Sequence, residues 1–218
     1  MTDNVAADFL PDELPDNPMR MLEVWLDDAR QRALQPNTNA TTLTTIDASG
    51  QPSARVVLCK AFDAEQGMLS FYTNYRSRKG QEIDANPNVA LVFHWDHLGR
   101  QARIEGLAVR CDAAQSDAYF ASRPRNSQIG AWASEQSAPV AGREAMVSLF
   151  EQRSGEFTND DDIPRPPHWG GYNVWARACE RWVEGAGRVH DRARFERELD
   201  RDSDGMRCGA WSATRLQP

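Results

Sequence analysis

The hydrophobic pattern of the chain changes its period at residue 41, and this change is the strongest constraint on the fold. Before it, apolar residues recur at helical spacing over 17–36, behind Asn17 and Pro18, which favour a helix start. After it, apolar and polar residues alternate, and turns rich in Gly and Asp separate the segments. This alternation predicts strands at residues 41–46, 54–60, 68–73, 89–95, 101–110, 172–182, 187–198 and 209–216.

Short hairpins between many of these segments indicate a mainly β fold with helices at its periphery. Helices are predicted at 76–85, 113–121, 127–133 and 142–153. This order implies a closed or nearly closed antiparallel barrel, not a doubly wound sheet, and no Gly-x-Gly-x-x-Gly motif follows a strand. With 218 residues, 40% of them hydrophobic, we expect one domain at 17–218 after a mobile tail at 1–16.

The charge and the cysteines exclude several classes of function. A formal net charge of -7 argues against a general nucleic-acid or membrane-surface binder, because such proteins usually carry a basic excess. The four cysteines contain no Cys-x-x-Cys pair, and the histidines lack the spacing of metal ligands, so we expect no metal site. The N-terminus has no apolar run typical of an export signal, which predicts a cytoplasmic protein with reduced thiols.

Basic residues are instead concentrated in two clusters that suit an anion. Arg76, Arg78 and Lys79 follow an apolar strand at a predicted helix start, where cations are unfavourable unless an anion is bound. A second cluster, at 122–137, combines two arginines with hydroxyl and amide donors. Two such clusters in an acidic protein predict a phosphorylated small-molecule ligand.

Two further sets allow a structural as well as a functional interpretation. Tyr119 and Arg123 share a helix face, and Ser127 is predicted to cap the next helix, but an ordinary capped helix junction explains them about as well. Arg55 and Lys60 flank a strand, where solvated edge residues are the commoner interpretation. Period two places them on opposite faces, so one ligand contacts both only across a strand end, a bulge or a subunit boundary.

Near the C-terminus, cationic and imidazole groups alternate with other residues. Arg188, His190 and Arg192 are predicted to face the same side of a strand. They would repel one another unless something anionic lies over them. This predicts a ligand-binding strand.

Seven motifs, in order along the chain, resemble those of the pyridoxine/pyridoxamine 5'-phosphate oxidase family. The resemblance runs from about residue 17 to the C-terminus and is carried by Arg-Val-Val-Leu-Cys-Lys at 55–60, Phe-Tyr-Thr-Asn-x-x-Ser-Arg-Lys at 71–79, Gly-Arg-Gln with Arg-Ile-Glu-Gly at 99–106, Ser-Arg-Pro-Arg-Asn-Ser-Gln-Ile-Gly-Ala-Trp at 122–132, Gln-Ser at 136–137, Trp-Gly-Gly at 169–171 and Arg-Val-His-Asp-Arg at 188–192.

The resemblance implies an FMN-binding split β-barrel that works as a homodimer, with FMN at the subunit interface. It implies oxidation of pyridoxamine or pyridoxine 5'-phosphate to pyridoxal 5'-phosphate, with O2 reduced to hydrogen peroxide. The implied FMN contacts are Arg55, Lys60, Tyr72, Thr73, Arg78, Lys79, Gln101, Gln136, Ser137, Trp182 and Arg192. The implied contacts to the substrate phosphate are Lys60, Tyr119, Arg123 and Ser127, and the candidate catalytic residues over the pyridine ring are Arg188 and His190.

The chain departs from the family at Arg181, where Phe usually precedes the tryptophan. If that position is buried, the guanidinium would cost stability or loosen Trp182. Two other interpretations remain open at this stage. One is an FMN oxidase of another substrate, as in the phenazine-pathway relatives, and the other is a flavin or pyridoxal phosphate carrier without catalysis.

Overall fold

A single antiparallel sheet organises the molecule, which is given by a computed structural model that describes residues 9–157, 162–202 and 205–218. The helices are α1 Pro18–Arg32, α2 Arg78–Ala85, α3 Ala113–Ala121, α4 Arg125–Ala133 and α5 Arg143–Glu156. The strands are β1 Ala40–Ile46, β2 Pro52–Leu58, β3 Ala61–Asp63, β4 Met68–Asn74, β5 Asn88–Trp95, β6 Arg100–Arg110, β7 Trp169–Val183, β8 Asp191–Glu196, β9 Leu199–Asp202, β10 Gly205–Cys208 and β11 Ser212–Leu216.

The sheet curls until it meets itself. Its strand order is β11-β8-β7-β6-β5-β1-β2, and β4 joins it by pairing with β7. After β2 the chain continues into β3, which pairs with β4, and the N–H of Lys60 donates to the carbonyl of Ser70 at 2.8 Å. The path β4-β7-β6-β5-β1-β2 therefore returns to β4, which confirms the predicted mainly β barrel with peripheral helices.

Apolar side chains that point into this barrel form the main core, because successive residues of a strand face opposite sides. Leu43, Phe71, Phe93 and Ile104 are fully buried there. Helix α1 covers one side with Met19, Leu22, Trp25 and Leu26. The helix begins as predicted: the side chain of Asn17 accepts a hydrogen bond from the N–H of Met19, and Pro18 occupies the first helical position.

Strand β7 connects the barrel to the C-terminal strands. Its first half, from Trp169 to Trp175, pairs with β4, and its last part, from Ala178 to Val183, pairs with β8. The strand has 15 residues. The start of β7 therefore belongs to the barrel beside β4, and its end pairs with the C-terminal strand β8.

The prediction of one strand at 187–198 is wrong at its start. Gly187 and Arg188 lie in a 3₁₀ turn with φ of 63° and 64°, and β8 begins only at Asp191. Arg188 and His190 thus precede the strand and do not alternate along it with Arg192. Between β8 and β11, the sequence pattern also missed a hairpin formed by β9 and β10.

Part of the predicted tail is attached to the folded chain. Residues 1–8 lie outside the described residues. Leu10 is buried, its N–H donates to Oδ2 of Asp191 at 2.8 Å, and Arg215 donates to the carbonyl of Pro11 at 2.6 Å. None of the described helices is long and apolar enough to span a bilayer.

Arg181 is completely buried between α1 and the sheet. Its Nη2 donates to the carbonyl of Pro18 at 2.8 Å, and its guanidinium carbon lies 5.6 Å from the centre of the Trp25 ring. Its Nε has no hydrogen-bond partner among the described residues. A charged group thus occupies a core position, where one polar atom remains unsatisfied.

Candidate functional site

Three of the predicted site cations converge around one buried carboxylate. Nη2 of Arg55, on β2, lies 3.1 Å from Oε2 of Glu82, and Nε of Arg78 lies 2.7 Å from Oε1 of the same side chain. Lys79 is the third cation, next to Arg78 at the start of α2. Asp47 adds a longer contact of 3.8 Å to Arg78. Three cations therefore face two carboxylates, and the cluster keeps an excess of positive charge.

Glu82 is ionised throughout the physiological range. Burial by itself would raise the pKa of Glu82, but hydrogen bonds from Thr45, Ser53, Arg78 and Arg55 outweigh it and lower the pKa to about 2. The carboxylate reaches this position because α2 places residues 78 and 82 on one helix face. Glu82 orients the two arginines, a role that the sequence motifs did not reveal.

Lys79 joins three elements of the cluster through neutral acceptors. Its Nζ donates to Oγ1 of Thr73 at 3.1 Å, to Oγ of Ser77 at 3.4 Å and to Oε1 of Gln136 at 2.8 Å. Burial and the nearby charge of Arg55 lower the pKa of Lys79 to about 8, although Glu82 partly opposes this. The ammonium group is therefore short of negative charge.

Beside this cluster lies a cavity of about 540 Å³ that contains all four residues predicted to hold the substrate phosphate. The rings of Tyr72 and Tyr119 stack there, with centroids 3.9 Å apart. Trp169 lies under them. The lining includes Lys60, Tyr119, Arg123, Ser127 and Gln136.

Ser127 lines this cavity, but it does not cap α4 as predicted. The N-cap residue of α4 is Pro124, which has no side-chain hydrogen bond to the helix, so the predicted capping by Ser127 is wrong. Pro124 fixes the chain direction with its own φ of -53°. Ser127 lies inside the first turn of α4, where its side chain lines the cavity.

Gln136, in the segment that follows α4, lines both this cavity and a second one of about 480 Å³. Ser137 has φ of 74°, an uncommon conformation for a residue with a side chain. Arg78 and Ser137 line the second cavity. The structure therefore brings together Arg55, Lys60, Tyr72, Thr73, Arg78, Lys79, Tyr119, Arg123, Ser127, Gln136 and Ser137, and we call this group the barrel set.

The remaining predicted residues form a second group, the strand set, on β6, β7, β8 and the turn before β8. Gln101 pairs with Trp182, and Trp182 pairs with Arg192, so the three lie side by side on adjacent strands. Arg192 donates to Oε1 of Glu180 from Nη2 at 2.8 Å. Glu180, like Glu82, is a buried carboxylate that orients a predicted ligand residue and that carried no predicted role.

His190 belongs to the strand set although it is not on a strand. Its ring centroid lies 4.5 Å from that of Trp182, and its Nδ1 accepts a hydrogen bond from the N–H of Gly185 at 3.2 Å. The second ring nitrogen, Nε2, takes no part in this hydrogen bond. Arg188 is exposed in the turn beside it.

The two sets are separated along β7. Trp169 contacts the barrel set at the first residue of the strand, whereas Trp182 lies near its last residue. Thirteen residues of extended chain span about 40 Å at roughly 3.3 Å per residue. Trp169 and Trp182 therefore lie near opposite ends of β7.

Two family models cover most of the chain. A model described as pyridoxamine 5'-phosphate oxidase matches residues 27–154. A second, described as the pyridoxine 5'-phosphate oxidase C-terminal dimerisation region, matches residues 169–218. The strand set lies largely within the second match.

Similar proteins carry related names. A pyridoxine/pyridoxamine 5'-phosphate oxidase of Cupriavidus metallidurans is 46% identical over 209 residues, which cover 95% of this chain and 91% of the relative. One of Bordetella avium is 49% identical over 201 residues, or 92% of this chain and 89% of the relative.

Solved structures share the fold. PhzG of Burkholderia lata, crystallised with tetrahydrophenazine-1-carboxylic acid, aligns with a TM-score of 0.83 and 28% identity over 98% of this chain and 100% of that one. A pyridoxamine 5'-phosphate oxidase-related FMN binding protein of Nostoc punctiforme aligns with a TM-score of 0.68 and 17% identity, over 92% of this chain and 98% of that one, which shows the fold alone.

Proposed function

Because the chain belongs to the pyridoxamine 5'-phosphate oxidase family, we propose that it oxidises pyridoxamine and pyridoxine 5'-phosphates to pyridoxal 5'-phosphate, with O2 reduced to hydrogen peroxide, in vitamin B6 synthesis or salvage. The observation that carries the proposal is the pair of adjacent anion sites in the barrel set. One is the cation cluster around Glu82, and the other is the cavity that contains Arg123. A flavin phosphate and a substrate phosphate need such a pair.

FMN is the cofactor, and the residues present fit it. The cluster of Arg55, Arg78 and Lys79 has an excess of positive charge, and Lys79 is short of an anion. A phosphate monoester would balance the excess positive charge and give Lys79 an anionic partner, through charge-assisted hydrogen bonds. When bound, FMN supplies the two-electron chemistry that links the substrate to O2.

The substrate phosphate is assigned to Lys60, Tyr119, Arg123 and Ser127. These residues supply ammonium, phenol, guanidinium and hydroxyl donors to one cavity. Nη1 of Arg123 is buried without a hydrogen-bond partner in the part of the chain that the structure describes, which is costly unless a ligand accepts from it. An anion at this position would satisfy it.

The strand set completes the site from a second copy of the chain. Within one copy, Trp169 and Trp182 lie near opposite ends of β7, and the strand set lies largely in the part of the chain that matches a dimerisation region. We therefore assign the site to a homodimer in which Trp182 and Arg192 of one subunit face the barrel set of the other. Lys60 lies beyond the end of β2, in the link to β3, and this strand end explains how Arg55 and Lys60 of one subunit serve one site.

Arg188 and His190 are the catalytic residues of the proposal. Packing of the His190 ring on Trp182 orients the imidazole, and the hydrogen bond at Nδ1 fixes its rotation. Both groups would lie over the pyridine ring of the substrate and hold the reacting carbon against the flavin. Their work is orientation and charge compensation, since the redox chemistry belongs to the cofactor.

A second candidate is the oxidation of a reduced phenazine precursor. It is favoured by the similarity to PhzG over the whole chain. The donors around Arg123 weigh against it, because a phenazine carboxylic acid has no phosphate arm to occupy them.

The test is an absorbance spectrum of the purified protein followed by addition of pyridoxamine 5'-phosphate without O2. We expect the flavin band at about 450 nm to bleach. Unphosphorylated pyridoxamine, the matched control, should bleach it far more slowly. Bleaching by a dihydrophenazine carboxylic acid alone would favour the second candidate. A stable band with every substrate and no oxygen consumption would favour a carrier.

A further inference from the structure

Trp169 is held rigidly at the first position of β7. Nη1 of Arg165 donates to its carbonyl at 2.6 Å, and the Phe120 ring meets its ring edge-on, with centroids 5.2 Å apart and an interplanar angle of 69°. Only 6% of the residue is exposed. Its indole therefore presents a fixed surface to the cavity of the barrel set.

Arg123 lies on this surface. Its guanidinium carbon is 4.6 Å from the centre of the Trp169 ring and 5.7 Å from that of Phe120, distances typical of cation–π contacts. Across residues 9–157, 162–202 and 205–218, no carboxylate forms an ion pair with Arg123. Burial lowers the pKa of Arg123, as expected for a cation without a nearby anion.

The arginines assigned to FMN are held differently. Arg55 and Arg78 both bind Glu82, and Arg192 binds Glu180, so each spends N–H donors on a carboxylate of its own chain. A ring face attracts the guanidinium without accepting a hydrogen bond in its plane. Arg123 therefore keeps in-plane donors for a ligand, and its Nη1 has no hydrogen-bond partner within residues 9–157, 162–202 and 205–218.

Trp169 also supports the second phosphate donor. Its ring is nearly parallel to that of Tyr119, with centroids 6.2 Å apart and an interplanar angle of 9°. It is nearly parallel to Tyr72 as well, at 5.7 Å and 15°. One indole thus contacts a residue assigned to FMN and two assigned to the substrate phosphate.

We propose that Trp169 is a positioning residue that orients the Arg123 guanidinium for the phosphate of the substrate. The proposal rests on the proposed function, which assigns a phosphate to Arg123. A carboxylate in place of the indole would hold Arg123 equally well, but it would occupy the donors and repel the incoming phosphate. An aromatic support avoids both effects.

The test compares Trp169→Leu with Trp169→Phe in the FMN-loaded protein. Loss of the cation–π support is expected to raise the KM for pyridoxamine 5'-phosphate and the inhibition constant of inorganic phosphate by about tenfold each. At saturating FMN the kcat should change by less than about twofold, because Trp169 acts on binding of the substrate phosphate and not on the redox step. Trp169→Phe keeps a ring face and should restore most of the lost affinity.

Trp211→Leu is the matched control. Trp211 supports the guanidinium of Arg197 at 4.4 Å, a contact of the same kind outside the two sets. This variant should leave both phosphate constants unchanged. If it raises them as much as Trp169→Leu does, the effect is general loosening and the proposal is wrong.

The outcomes separate this proposal from the proposed function. Calorimetric titration with inorganic phosphate needs no turnover: weaker binding to Trp169→Leu supports positioning even if wild-type protein oxidises no pyridoxamine 5'-phosphate. Turnover by wild type with equal phosphate binding in both proteins overturns positioning alone. If Trp169→Leu does not fold, a double-mutant cycle of Trp169→Met, which fills the space without a ring, with Arg123→Lys decides, and additive effects on phosphate binding overturn the proposal.

Discussion

Lys79 and Gln136 are joined by a hydrogen bond of 2.8 Å from Nζ to Oε1, which ties the start of α2 to the segment that follows α4. Thr73 completes the connection, since its hydroxyl donates to the same Gln136 oxygen at 3.0 Å and accepts from Lys79. Three separate stretches of sequence thus meet at one ammonium group. The protonation of this group should respond to a bound phosphate.

Binding of FMN is expected to take up a proton at mildly alkaline pH. The pKa of Lys79 is lowered to about 8, and a phosphate dianion beside it would raise this value. Above pH 8 the apoprotein must therefore bind a proton together with FMN, and its affinity should fall by up to about tenfold per pH unit. Calorimetry at pH 8.5 in two buffers of different ionisation enthalpy measures the uptake.

Lys79→Gln is the control, because it removes the titrating group and should abolish the uptake. The lowered pKa of Lys79 also affects the stability of the apoprotein. The folded state loses this proton at a lower pH than the unfolded chain, so stability should rise as the pH rises from about 8 towards 10.5. Equal heats in both buffers for the wild-type protein would contradict the assignment of Lys79 to the phosphate.

Glu82→Gln should destabilise the apoprotein by about 3 kcal/mol at pH 7, because it leaves Arg55 and Arg78 without their shared buried carboxylate. The pKa of Glu82 is lowered to about 2, so its stabilising contribution is present above pH 4.5 and is lost as the pH falls towards 2. Urea unfolding at pH 7 and pH 3 measures this, and the difference between variant and wild type should shrink at pH 3.

Glu65→Gln provides the comparison for Glu82. Glu65 pairs with Arg20 at 2.7 Å, but both side chains are about two-thirds exposed, at 66% and 67%. Such surface pairs contribute at most about 1 kcal/mol. A stability loss for Glu82→Gln that matches this control, or that is the same at both pH values, would remove Glu82 from its assigned role.

Arg188→Ala and His190→Ala should each impair turnover while FMN stays bound. Both residues are assigned to the substrate, and His190 is oriented by Trp182 and Gly185 rather than by a cation of the phosphate cluster. Arg78→Ala is the contrasting variant and should weaken FMN binding by about 1.5–3 kcal/mol, as for a charge-assisted contact. An oxygen-consumption assay measures the turnover of Arg188→Ala and His190→Ala, and fluorescence titration measures the FMN affinity of all three variants. Loss of FMN from His190→Ala would show that its assignment is wrong.

Much of the scaffold was predictable because local chemistry determines it. Asn17 and Pro18 define the start of α1, and alternation with short turns identified most of the barrel strands. Arg188 shows the limit of this approach: its alternation with His190 and Arg192 indicates a strand, but Gly187 permits a left-handed turn that breaks the period. Alternation alone cannot distinguish these two outcomes.

The roles of Glu82 and Trp169 depend on contacts that the sequence does not contain. The spacing of Arg78 and Glu82 hints at one ion pair, but the approach of Arg55 comes from a strand 27 residues away. Trp169 lies 46 residues after Arg123 and meets it only because α3 and α4 pack against the start of β7. Such supporting residues become visible only once the fold is known.

Arg181→Phe is expected to stabilise the protein by about 1–2 kcal/mol. The buried guanidinium leaves Nε without a hydrogen-bond partner among the residues described, and apolar replacements of imperfectly satisfied buried charges are often stabilising. Arg100→Leu should have the opposite effect, because Arg100 binds Asp28 at 2.7 Å and its removal leaves that carboxylate with less compensation. Thermal unfolding of both variants gives the comparison, and a lower Tm for Arg181→Phe would show that its bond to Pro18 outweighs the orphaned atom.

Mixing two inactive variants should restore activity if each site is built from two subunits. Arg123→Ala disables the barrel set and His190→Ala disables the strand set, so each homodimer has two damaged sites. In a mixed dimer, one site receives both damaged sets and the other receives two intact ones. Random exchange makes about half of the dimers mixed, which predicts about a quarter of the wild-type activity.

The matched control for this complementation is a mixture of Arg123→Ala with Lys60→Ala. Both substitutions lie in the barrel set, so every site in a mixed dimer retains one of them and activity should stay near that of the separate variants. Subunits are exchanged by co-expression, and dimers are isolated before the assay. Equal activity in the two mixtures would place each complete site within one chain, against the separation of Trp169 and Trp182 along β7.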